Sequence, residues 1–138
     1  MTISFHVPGK PQGKGRPRVG RVAGHARMFT PAKTVAYEGL VAHAAALAMD
    51  GAALIDGPCA VKLDIACQIP ASWPKKRRQA AIEGTVRVQT KPDLDNTVKA
   101  IFDGCNGVVW RDDVQVVMLQ AHKRYSQTPG VTVEVSPV

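Results

Sequence analysis

Apolar and polar residues alternate over residues 2–7, TISFHV, which predicts a first strand. The pattern then lapses over 8–30, PGKPQGKGRPRVGRVAGHARMFT, where Gly, Pro and basic residues disfavour regular structure. Thr30-Pro31 reads as a cap followed by Pro at the first helical position, opening a helix that runs to about Met49 and stops at Gly51. Ala36, Leu40, Ala44 and Leu47 form its expected inner face. Residues 59–69, CAVKLDIACQI, alternate cleanly: Val61, Leu63, Ile65, Cys67 and Ile69 one way, Lys62, Asp64 and Gln68 the other. Ser72 and Pro74 open a short helix led by Lys75, Lys76, Arg77 and Arg78. Residues 94–105 carry an apolar stripe of Leu94, Val98, Ile101, Phe102 and Cys105 at helical spacing. Two strands follow, over 114–125 and 131–135. This order predicts one α+β domain spanning 1–138: a single small mixed β-sheet with helices packed on it.

Charge adds an asymmetry to that outline. The 138 residues hold eighteen Lys and Arg against eleven Asp and Glu, for a net charge of +7. Residues 1–33 contain seven bases and no acid. Segment 8–30 is therefore expected to be a mobile basic loop that orders on a polyanion, with DNA the natural partner. Lys10, Lys14, Arg16, Arg18 and Arg21 in that loop, and Lys75, Lys76 and Arg77 in the short helix, are the candidate phosphate contacts. Four cations at a helix start oppose its dipole, a mild cost that phosphate would offset. Cys59, Cys67 and Cys105 show no metal or redox spacing and sit in apolar runs, so they are expected to be reduced core residues. No segment has the length and apolarity of a membrane span or the make-up of a signal peptide, so a cytoplasmic location is expected.

Against this basic background, residues 91–113 gather five of the eleven carboxylates: Asp93, Asp95, Asp103, Asp112 and Asp113. The segment has three bases, for a net of −2, whereas the remainder has fifteen bases against six acids, a net of +9. Capping explains one aspartate of KPDLDN but not both, and it leaves the Asp112-Asp113 pair aside. Clustered carboxylates repel one another and are tolerated where a divalent cation lies among them. Hard oxygen donors suit Mg²⁺, or Mn²⁺, held together with substrate phosphate. Asp112 and Asp113 are adjacent and face two ways, so at most one of them need point at the helix start. Neither an EF-hand nor a phosphate-binding P-loop fits: Val98 replaces the required Gly of the first, and GKPQGKGR is one residue too short for the second.

Pro92-Asp93-Leu94-Asp95-Asn96, then Lys99, Asp103 and Asp112-Asp113-Val114-Gln115-Val116, resembles the RusA family of Holliday junction resolvases, common in prophages. GKPQGKGRPR and TPAKTVAYE are also similar to that family. The resemblance implies a Mg²⁺-dependent endonuclease acting as a homodimer on four-way DNA junctions, in DNA recombination and repair. It implies Asp93, Asp95, Lys99 and Asp113 as catalytic residues, the three aspartates as metal ligands, and Asp103 as a supporting carboxylate. Beside it stand two other readings: a basic DNA-binding module without catalysis, and a nuclease for other branched or flap DNA.

Overall fold

The computed structural model describes residues 1–138. Its strands are β1 (Ile3–Pro8), β2 (Arg18–Val22), β3 (His25–Phe29), β4 (Cys59–Gln68), β5 (Val116–Ser126) and β6 (Gly130–Pro137), and its helices α1 (Ala32–Met49), α2 (Lys75–Glu83) and α3 (Leu94–Cys105). Four strands form one mixed sheet in the order β1-β6-β4-β5. β6 runs antiparallel to both β1 and β4, and β4 runs parallel to β5. The α+β expectation holds, with a two-stranded hairpin beside the main sheet.

Alternation decides which face of the sheet is covered. Val61, Leu63 and Ile65 align with Val135, Val133 and Val131, and these in turn with Ile3, Phe5 and Val7. All nine are buried under the helices. The opposite face carries Ser4, His6, Lys62, Asp64, His122, Arg124, Thr132 and Glu134, and no element covers it. On it Arg124 grips Asp64 bidentately at 2.9 Å through both Nε and Nη2, with His122 Nε2 also 2.9 Å from the same carboxylate. The three cysteines are free and buried, as their setting predicted.

Two helical faces differ from expectation. α1 buries Thr34, Tyr37, Val41, Ala45 and Met49 and leaves Ala36, Leu40 and Leu47 outward. Its alanine-rich sequence has little apolar asymmetry, so the face is set by the fit of Tyr37 and Val41 and by a bond from Gly15 N–H to Thr34 Oγ1 at 2.9 Å. α3 has the predicted bounds, yet it buries Thr97, Ala100, Ile101, Gly104 and Cys105, and Leu94 is exposed. Small residues face α1 there, so the two helices approach closely. Finally, α2 opens at Pro74, with no side-chain cap from Ser72.

Candidate nuclease site

Asp93 occupies the N-cap position of α3 in extended backbone (φ −65°, ψ 142°), but its side chain makes no capping bond. Its carbonyl oxygen accepts both the Thr97 N–H and the Thr97 hydroxyl, each at 3.0 Å. The helix start is thus held by backbone, which leaves the carboxylate exposed and free. Asp95 follows in the first turn, where a negative charge suits the helix dipole. The preceding Lys91–Pro92 peptide is cis. Lys123, reaching across from β5, donates to the carbonyls of Thr90 and Pro92 at 3.1 Å each and so fixes the approach to Asp93.

One turn after Asp95, Lys99 points to two carboxylates. Its Nζ lies 3.1 Å from Asp103 and 3.5 Å from Asp113, which stands at the start of the 3-10 turn Asp113–Gln115. Lys99 therefore pairs with Asp103 rather than Asp95, and it ties α3 to the start of β5. The bond to Asp103 holds the Lys99 ammonium above its ordinary pKa, so it stays a cation and not a base.

Asp103 also receives Lys14, at 2.9 Å, and Lys14 reaches Glu38 of α1 at 2.7 Å. Burial alone would raise the Asp103 pKa, but the bonds from Lys14 and Lys99 outweigh it and hold the carboxyl below its ordinary value. The chain Glu38–Lys14–Asp103–Lys99–Asp113 joins three parts of the protein. Lys14, expected as a phosphate contact, has its ammonium engaged by two carboxylates here.

The Asp112-Asp113 pair divides its work. Asp112 caps the 3-10 turn, and Gln115 anchors it: Gln115 Oε1 accepts the backbone N–H of Arg111 and Asp112 at 2.9 and 3.2 Å. Gln115 Nε2 donates to the carbonyls of Ile55 and Gly57 at 2.8 and 2.9 Å. Sequence reasoning missed Lys123 and the supporting roles of Lys14, which it gave to phosphate, and of Gln115, which it named only within the acidic motif. Gln115 had a signal, its place beside the acidic pair, but Lys123 had none.

The expected convergence of Asp93, Asp95 and Asp113 is incomplete: no three His, Cys, Asp or Glu side chains meet at cation-binding spacing. Beside Asp113 stands the Lys99 ammonium, at 3.5 Å. The donor set still fits a hard divalent ion. Asp93 and Asp95 take part in none of the ion pairs of the fold, and both are exposed. Mg²⁺ in such sites is held by one or two carboxylates and completed by phosphate oxygens, so a closed protein cage is not required.

The basic segment is more ordered than its composition suggested. β2 and β3 form an antiparallel hairpin closed by Ala23-Gly24, both at positive φ (51° and 81°), the backbone of a two-residue hairpin turn. The alternation was too short and too interrupted by Gly to register as strands. Arg18 and Arg21 lie exposed along this ribbon, and Arg16 is exposed just before it. Residues 13–15, by contrast, are pinned to the helices: Lys14 N–H donates to Asn96 O at 2.9 Å. Lys10 is exposed, as are Lys75, Lys76 and Arg77, with the Arg77 guanidinium 4.0 Å above the Trp73 ring.

The family model for endodeoxyribonuclease RusA matches residues 8–136. A protein of Bacillus subtilis (strain 168) described as "Uncharacterized protein YqaN" is 36% identical over 138 residues, covering 99% of this chain and 96% of that one.

Proposed function

Because the chain belongs to the RusA endodeoxyribonuclease family, we propose that it is a Mg²⁺-dependent nuclease that resolves four-way DNA junctions by paired phosphodiester hydrolysis, in recombination and repair. The observation that carries this reading is the Lys99 bridge. By reaching Asp103 and Asp113 from the helix that begins with Asp93 and Asp95, it sets a permanent cation among acids whose free members face solvent.

A bound Mg²⁺ or Mn²⁺ would make water nucleophilic and neutralise the departing 3′ oxygen. Asp93, Asp95 and Asp113 are the residues to hold it. Lys99 is placed to donate to the charge that develops on the phosphate oxygens, a contribution worth about a factor of 10² to 10³ in rate. Asp103 keeps the ammonium charged and aimed. Arg18 and Arg21 on the exposed hairpin and Arg16 just before it, with Lys75 and Lys76 on α2, supply phosphate contacts at a distance from the acids.

Two cuts need two sites, and this chain carries one, so a two-fold homodimer is part of the proposal. The outer edge of β5 supports it. No strand pairs with that edge; on β5 Val117 (59%) and Met118 (60%) are exposed, as is Val114 (78%) in the 3-10 turn before it, apolar surface that a second copy would cover.

The test is single-turnover cleavage of four-way, flap, nicked and linear DNA with Mg²⁺. Asp93→Asn, Asp95→Asn and Asp113→Asn are each expected to abolish cleavage while DNA binding persists. Lys99→Ala is expected to lose at least about a hundredfold. Cleavage confined to flaps or nicks would move the substrate to another branched DNA. Binding without cleavage under any condition would leave a DNA-binding module, and near wild-type rates in two of the aspartate variants would remove the site assignment.

A further inference from the structure

Beside Asp93 lies a cleft of about 680 Å³, bounded by the 10–14 segment, the end of β4 and the 90–93 segment. It does not coincide with the Lys99 bridge, since Lys99, Asp95 and Asp113 are not among its lining residues. Its volume falls within the roughly 300–1,000 Å³ of small-ligand sites.

The lining changes character with depth. The buried part is largely apolar: Cys67, Ile69 and the ring of Tyr125. The accessible part presents three side-chain amides, Gln12, Gln68 and Asn96. The fold spends its Gln115 and Asn106 amides on internal bonds, whereas these three are left without such a role. Two exposed lysines, Lys10 and Lys91, also line it, with Lys14 and Asp93. An apolar bed, amide donors and acceptors, and cations at the opening together match a nucleotide: base ring, base edge and phosphate in turn. Lys123 braces one wall through Thr90 and Pro92, so the cleft is a built feature rather than a gap between loose segments.

Resting on the nuclease reading above, we propose that this cleft receives one unstacked nucleotide next to the scissile phosphate, drawn from the branch point of the DNA. Withdrawing a base from a stack costs a few kcal/mol in intact duplex and least where pairing or stacking is already broken. A nuclease that must seat such a nucleotide beside Asp93 before cutting therefore favours branch points over plain duplex. The cleft thus supplies selection for branched structure inside a single protomer. The amides also give it the means to prefer some bases over others.

The experiment is stopped-flow fluorescence with wild-type protein and Mg²⁺. It uses four-way junctions that carry a single 2-aminopurine at each position flanking the cut in turn. The expected result is a rise at one flanking position that precedes strand cleavage, since 2-aminopurine brightens when it leaves the stack. Gln68→Phe, which fills the cleft from its exposed strand end, should lose that rise and slow cleavage about tenfold or more while junction binding is retained. Gln12→Ala with Gln68→Ala, which leaves the cleft open, should keep the rise but level any base preference at that position by about tenfold. Cleavage with flat fluorescence at every flanking position, or an undiminished rise in Gln68→Phe, overturns the inference and leaves the nuclease reading intact. Failure to cut any branched DNA overturns the nuclease reading and this inference with it.

Discussion

Gly104 and Gly39 give a paired test of how α1 and α3 position the site. Both are helical glycines, and the same substitution to Ala should act in opposite directions. A Cβ on Gly104 would lie 2.6 Å from Val41 Cβ, 2.7 Å from Val41 Cγ1 and 3.0 Å from the Glu38 carbonyl oxygen. The first and last of these belong to or sit directly on the α1 backbone, so no rotamer change relieves them. Overpacking of this kind costs about 1–3 kcal/mol, and these contacts argue for the upper end. The better helix propensity of Ala returns about 1 kcal/mol. Gly104→Ala should therefore be destabilised by about 2 kcal/mol. Around Gly39 no atom lies within 4 Å of the added Cβ, so only the propensity gain remains, about 0.5–1 kcal/mol. The two variants should differ by about 3 kcal/mol, or roughly 10 °C in melting temperature for a domain of this size. Urea denaturation with a common slope is the assay. Displacing α3 also moves Asp103 and Lys99, so Gly104→Ala should cut DNA more slowly than its folded fraction explains. A Gly104→Ala midpoint at or above wild type would refute the close crossing, and a lower midpoint for Gly39→Ala would refute its open setting.

The engaged state of Lys14 separates it from its basic neighbours. Lys14→Ala should leave the salt dependence of DNA binding unchanged and lower the cleavage rate. Arg18→Ala with Arg21→Ala should flatten the salt slope by about 1.8, at 0.9 per phosphate contact; the reverse pattern would return Lys14 to the phosphate contacts. Asp64 gives a pH test. The Arg124 bond holds its carboxyl below the ordinary value, so its stabilising effect is full above that value and is lost as pH falls through and below it. Asp64→Asn should cost under about 1 kcal/mol at neutral pH, as expected of a surface pair. It should also flatten the loss of stability below about pH 4. Denaturant midpoints at pH 7 and pH 3 check both, and an unchanged acid limb in the variant would refute the role given to the carboxylate.

The bounds of α3 and the four sheet strands were close to legible because each joins a clear period to clear end signals. The buried faces of α1 and α3 were less so. Hydrophobicity ranks Leu94 above Gly104, while close helix packing prefers the residue with no side chain, and Val41 decides where that residue must be. The acids of the site were visible as a local excess of charge in a basic chain. The ions that order them were not, since Lys14 and Asp103 meet from opposite ends of the sequence without any periodic trace. A cluster of aspartates marks the proposed site, but its geometry depends on cations such as Lys14, drawn from a distant segment.

The order of the sheet carries a consequence for synthesis. β1 pairs only with β6, and β4 pairs only with β5 and β6, so the two earlier strands of the sheet never touch each other. Every ladder of the main sheet waits for residues after 115. A ribosome-bound chain therefore holds the whole basic hairpin and all five clustered aspartates before it can close a single rung of that sheet. Pairings of such long sequence separation form late and slowly. The half-made chain can cling to nucleic acid electrostatically, but Asp113 has no fixed place beside α3 until β5 docks. On the proposed site, cutting competence thus waits for the last strands of the sheet, by topology alone.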